Sequence, residues 1–139
     1  GNAGVAQIIS STDGAIGYVD LSDAIDADLA FASIENKAGK FVQPTLDAAS
    51  AAVAGATVAD NLTFSAVWAD GDEAYPITAQ TWIIAYTKQT DQAKADTLKA
   101  FLTYILTDGQ AIAADVNYAP LPADLATKAL AQIDQLKVG

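Results

Sequence analysis

Residues 15–19, Ala-Ile-Gly-Tyr-Val, constrain the fold more than any other stretch of this chain. The run is short, apolar and β-prone, the signature of a strand covered on both faces. Gly17 within it predicts the close approach of another backbone or side chain. A helix is expected just before it, with Val5, Ile8 and Ile9 on one face. Asn2 is a candidate cap for that helix, because its side-chain oxygen can accept from a free first-turn N–H. Residues 10–14 should break the helix, with Asp13-Gly14 as the turn dipeptide. A helix feeding such a strand calls for layers of helix and sheet.

The rest of the chain continues in that sense. Ser22 is a candidate cap for a short helical turn among Asp20, Asp23, Asp26 and Asp28, whose spacing does not match a calcium loop. Residues 29–34 and 40–42 are expected to pair as a β-hairpin around Asn36-Lys37-Ala38-Gly39. Thr45 should cap a helix of alanine and aliphatic residues over 46–54, with Gly55 as its C-cap glycine. Leu62, Phe64 and Ala66 alternate with Asn61, Thr63 and Ser65, as in an extended stretch, and residues 70–73 read as a loop. Residues 81–86, Thr-Trp-Ile-Ile-Ala-Tyr, are aromatic and β-branched, the strongest strand signal in the chain.

From Thr90, the expected cap, the period becomes helical. Ala93, Thr97, Leu98, Phe101, Leu102, Ile105 and Leu106 form one face, and Lys94, Lys99, Asp91 and Asp96 the other. A shorter helix is expected over 110–116 and a last one over 122–136, opened by Pro122, with Leu125, Ala129, Leu130, Ile133 and Leu136 as its buried stripe.

Composition removes several chemistries. The chain has 139 residues, the size of one domain, and contains no His and no Cys. Ser-His-Asp and Cys-His catalysis, disulfides and His/Cys zinc sites are therefore excluded. Neither GxxxxGK[ST] nor GxGxxG occurs. No carboxylate pair stands out for acid–base work, so the chain is not expected to be an enzyme, and no metal or cofactor is expected. All seven basic residues are lysines, and the net charge is −10. The chain therefore has no basic stripe for nucleic acid. Such acidity still permits a small anion to bind locally, at backbone N–H groups or a helix N-terminus.

Four stretches in order, GNAGV with TDGAIGYVDL, FASIENKAGKFVQPT, EAYPITAQTWIIAYTK and DVNYAPLPADL, together resemble one family. They are similar to the carboxy-terminal part of the phosphate-specific periplasmic solute-binding proteins of bacterial ABC importers. The resemblance implies an α/β fold of the periplasmic-binding-protein type II class, an αβα sandwich forming an incomplete two-lobed fold. On that pattern residues 1–29 end the second lobe. Residues 30–80 carry the hinge-crossing hairpin, helix and irregular segment, and residues 81–139 are the carboxy-terminal part of the first lobe.

The resemblance also implies a phosphate receptor that works with the importer's membrane subunits and is exported, either periplasmic or held as a lipoprotein. The family binds phosphate through an Arg, an acidic acceptor and a Ser-Gly-Thr turn, all upstream of the matching part. This chain has no Arg and no Ser-Gly-Thr, so no phosphate-contacting residue is carried over. Thr12, Asp13 and Thr78 are polar residues in the matching stretches, but nothing in the sequence places them in the cleft. The expectation is a fragment or one piece of a split receptor, completed by an amino-terminal portion or a second chain. Exposed apolar edges should then appear around residues 16–19 and 83–86. The alternatives are a receptor for another oxyanion, sulfate or molybdate, and a surface interaction or assembly domain that has lost ligand binding.

Overall fold

Pairing decides which β-prone runs become strands, and in the computed structural model, which describes residues 1–139, the two strongest runs have no partner. Residues 15–19 and 81–86 form no strand. Ile16 and Tyr18 are 98% and 90% exposed, and Ile84 and Tyr86 are 93% and 87% exposed. This corrects the strands expected there. The exposed apolar residues foreseen around them are present, but as unpaired runs and not as sheet edges. A strand is a property of a ladder, and a run with no neighbour to bond cannot form one, whatever its propensity.

The first helix, α1 (Asn2–Ser11), is capped at Gly1 rather than Asn2, with no side-chain cap bond. The chain then doubles back along it. A Cβ on Gly17 would lie 2.8 Å from Ile9 Cδ1 and 3.1 Å from Val5 Cγ1, so the close approach foreseen at this glycine is to the apolar face of α1. Helix α2 (Leu21–Asp26) starts from Asp20, and Ser22 lies inside it without capping it.

The hairpin is shorter than its apolar pattern. β1 (Ile34–Glu35) pairs antiparallel with β2 (Phe41–Val42), in the register Ile34 with Val42 and Glu35 with Phe41. Residues 29–33 carry no strand. Gly39 closes the turn at φ +74°, in the left-handed region.

Helix α3 (Leu46–Ala54) matches its sequence signals residue for residue, and Thr45 Oγ1 accepts from Ala48 N at 3.1 Å. Gly55 is its C-cap, but at φ −79° it does not supply the left-handed turn expected of a C-cap glycine. Its role is steric, since a Cβ there would lie 1.8 Å from the Asp70 carbonyl oxygen. The backbone of the 70s loop thus lies directly on the end of α3. Between them sits a core of alanines, Ala52, Ala66, Ala69 and Ala74, with Val53 and Phe64 against it. The extended reading of residues 61–67 is corrected to an irregular path with a turn, Leu62 standing at φ +67° and Trp68 at +56°.

The carboxy-terminal third is helical. Helix α4 (Gln92–Leu106) is capped by Asp91, whose Oδ1 accepts from Lys94 N at 2.9 Å, and not by Thr90. Its packed side is Ala95 with Leu98, Leu102, Ile105 and Leu106 half-buried, whereas Ala93, Thr97 and Phe101 from the expected face lie exposed. Helix α5 (Gly109–Asp115) follows. The Gln110 side chain holds it, donating to Ile105 O at 2.6 Å and accepting from Leu121 N at 2.7 Å.

Helix α6 (Ala123–Ile133) is capped by Pro122 and ends earlier than the expected residue 136. Leu125, Ile133 and Leu136 of its stripe are buried. The chain closes with an element absent from the sequence reading, a parallel pair of β3 (Lys88–Gln89) and β4 (Lys137–Val138). Gln132 Nε2 donates to Asp60 O at 3.0 Å and Ser50 Oγ to Pro120 O at 3.4 Å, which tie this helical part to the alanine core.

Candidate functional site

Three places gather polar groups near the stretches singled out by the sequence. The first is the end of α1. Thr12 leaves the helix in an extended conformation, and both Thr12 and Asp13 are exposed. The second is the turn at Tyr75-Pro76-Ile77-Thr78. Thr78 is 7% exposed, and its hydroxyl donates to Tyr75 O at 2.9 Å, so its polar atom is engaged within its own turn. No hydrogen bond joins Thr78 to Thr12 or Asp13.

The third is an open groove of about 650 Å³ where the hairpin meets the start of α3. Lys40, Phe41, Gln43, Thr45, Asp47 and Asp72 contribute to its wall, with Glu73 beside them. A helix N-terminus is a natural anion site, because its N–H groups point outward and the dipole is positive there. In this groove both terms are partly answered. The Thr45 hydroxyl takes the Ala48 N–H, and Asp47 sits in the first turn of the helix. Three carboxylates face one ammonium across the groove, so its field repels phosphate. No set of three carboxylates comes close enough to hold a metal ion.

The most buried polar residue of the chain is one to which the sequence assigned only a turn. Asn36 is 3% exposed. Its Oδ1 accepts from Ala38 N and Lys40 N, both at 3.0 Å. Its Nδ2 donates to Gly71 O at 3.2 Å, Asp72 O at 2.8 Å and Ala74 O at 3.1 Å. An amide nitrogen has two hydrogens, so one is shared between two carbonyls. The short-range half of this pattern is an Asx turn and is legible in Asn-Lys-Ala-Gly. The long-range half leaves no signal in the sequence. Beside it, Lys37 Nζ lies 2.7 Å from Asp70 Oδ1, an exposed pair of small energetic weight.

One ionisable group departs from its ordinary behaviour. Burial holds the Tyr75 hydroxyl above the usual tyrosine value. It does so by disfavouring the phenolate, with no charged partner involved.

Comparison with known proteins adds what the geometry alone does not carry. A family model described as a PBP superfamily domain matches residues 1–109. Among curated proteins, the chain is 33% identical over 127 residues to a phosphate-binding protein PstS of Xylella fastidiosa, covering 90% of this chain and 35% of that protein. It is 37% identical over 150 residues to a phosphate-binding protein PstS of Methanocaldococcus jannaschii, covering 99% of this chain and 39% of the relative. The match to the protein of that name from Pasteurella multocida is 32% identical over 134 residues, with 95% and 39% covered. The chain spans well under half the length of these relatives.

Proposed function

The chain belongs to the PBP superfamily, with the α/β class expected of it but only two-stranded sheets, and from that premise we propose that it is part of a solute-binding receptor for inorganic phosphate. It does so as a binding protein and not as an enzyme. Relatives named phosphate-binding proteins align over 90% or more of the chain, which supports the ligand. In this reading the phosphate contacts come from a polypeptide portion outside these 139 residues, because the candidate groove is acidic and the chain has no arginine.

The observation that carries the completion in trans or in cis is the exposed area. A compact monomer of 14.3 kDa would present roughly 6,800 Å² to solvent. This chain presents 9206 Å², and only 15 of its 139 residues are buried. The difference, roughly 2,400 Å², is on the scale of an obligate interface. Its apolar content includes Ile16, Tyr18, Ile83, Ile84 and Tyr86, the two runs without ladder partners. A polypeptide that supplies strands to those runs would satisfy their backbone groups and cover their side chains in one step.

On this reading residues 1–29 belong to one lobe, residues 81–139 to the other, and residues 30–80 lie at the crossing. The receptor is exported, and its remaining partners are the membrane subunits of an importer. No helix of this chain is long and apolar enough to cross a membrane. The test is native mass followed by calorimetry. A mass above 14.3 kDa, accounted for by a second polypeptide, and phosphate bound in preference to sulfate by that complex are the expected results. A complex that prefers sulfate or molybdate would replace the ligand. A complex that binds no oxyanion would point to an interaction domain and overturn the receptor reading.

A further inference from the structure

The Asn36 carboxamide joins segments that lie 35 to 38 residues apart in the chain. Its oxygen holds the hairpin turn, and its nitrogen holds three carbonyls of the loop over residues 71–74. That loop is fixed from its other side as well. Tyr75 N donates to Ala48 O at 3.1 Å, and Trp68 N to Pro76 O at 2.9 Å. Gly55 lets the Asp70 backbone rest on α3. Gln80 Nε2 donates to Phe64 O at 2.7 Å, and the Phe64 and Trp82 rings meet edge to face with centroids 5.4 Å apart. One net thus spans hairpin, α3 and the irregular segment. It stops at residues 83–86, where no backbone N–H donates to another backbone group.

We propose that the Asn36 carboxamide locks residues 34–82 into one cooperative body that is organised before any partner covers residues 15–19 and 83–86. The reason is chemical economy of position. The alanine core offers little side-chain area, so apolar burial alone holds this region weakly. A buried amide with every donor and acceptor engaged fixes backbone to backbone, and leaving its partners unpaired is costly. The lock makes the region a preformed platform on which strands from elsewhere complete the sheets. Its use in that completion rests on the receptor reading above, but the lock itself does not.

The two halves of the lock can be separated. Asn36→Asp keeps an oxygen for the Ala38 and Lys40 amides and removes both donors to the loop, leaving a carboxylate against three carbonyls. Amide hydrogen exchange is measured on the 139-residue protein as purified, with and without low denaturant. In the wild type, the Lys40 and Tyr75 amides are expected to share one opening, with the same denaturant dependence. In Asn36→Asp, protection at Tyr75 is expected to fall by about 10- to 100-fold while Lys40 loses less, so the two openings separate.

Asn36→Ala, which removes both halves, is expected to lower both. Independent openings in the wild type would overturn the proposal. So would an Asn36→Asp protein in which Tyr75 and Lys40 still open together. If Asn36→Asp does not fold, the wild-type measurement alone decides. Phosphate binding is not read in this experiment, so failure here leaves the receptor reading standing, and the reverse holds equally.

Discussion

Replacing Gly55 by alanine tests whether close backbone packing, and not backbone freedom, explains this glycine. At φ −79° and ψ −4° an alanine is unstrained. At an open site with such angles, Gly→Ala stabilises by about 0.4–1 kcal/mol, through the entropy of the unfolded chain. Here the new Cβ would stand 1.8 Å from Asp70 O, 2.8 Å from Asp70 C and 3.2 Å from Asp70 N. All three are backbone atoms, which cannot swing aside as a side-chain tip does. Restoring an ordinary contact requires the two backbones to part by on the order of 1.5 Å, a separation that opens the alanine core beside them.

Overpacking of this kind costs about 1–3 kcal/mol, and with backbone as the obstacle the upper end applies. The net expected loss is about 2–3 kcal/mol, a large share of the stability of an ordinary domain. Denaturant unfolding followed by tryptophan fluorescence reads it, since Trp82 packs against Phe64 at the edge of that core. A Gly55→Ala protein as stable as the wild type, or more so, would refute the steric account.

Gly4 provides the opposite case, because it lies within α1 and nothing lies within 4 Å of its added Cβ. Gly4→Ala is expected to stabilise by about 0.5–1 kcal/mol in the same unfolding assay. The cap of α4 is tested by two variants: Asp91→Ala is expected to cost about 1 kcal/mol, whereas Thr90→Ala is expected to be near neutral, as read by thermal melts. Burial raises the Tyr75 pKa, so the folded state holds the phenolic proton more tightly than the unfolded state does. That contribution is complete below the unfolded value of 10.0 and is lost as pH rises from there through the folded value. The stability difference between wild type and Tyr75→Phe is therefore expected to be constant from pH 7 to 9 and to shift against the wild type above pH 10.

What could be read from the sequence follows from the range of each interaction. Helix α3 was legible because its cap, its alanine run and its end lie within eleven residues, Thr45 to Gly55. The hairpin turn at Asn36 to Gly39 and the stripe of α6 were legible for the same reason. Residues 15–19 and 81–86 were misread because a strand needs a neighbour, and no local pattern supplies one. The faces of α4 were misread because its apolar residues run around more than half of the helix, and only packing chooses among them. Asn36 was half legible: the turn is local, the three carbonyls are not. For the phosphate site, the residues pointed to a family and to no contacting side chain.

The scarcity of large buried side chains has a calorimetric consequence. Heat capacity follows the apolar surface that changes its exposure. An ordinary chain of this length would show an unfolding increment of about 1.8 kcal/mol/K. With Ile84, Ile16 and their neighbours already wet in the folded chain, less remains to be exposed, and the increment should be smaller. Its stability curve is then unusually flat with temperature, and its melting broad. On the receptor reading, the missing heat capacity reappears when the completing polypeptide covers this surface. Burying much of the surplus area should give a binding enthalpy that becomes more negative on warming, by several hundred cal/mol for each degree.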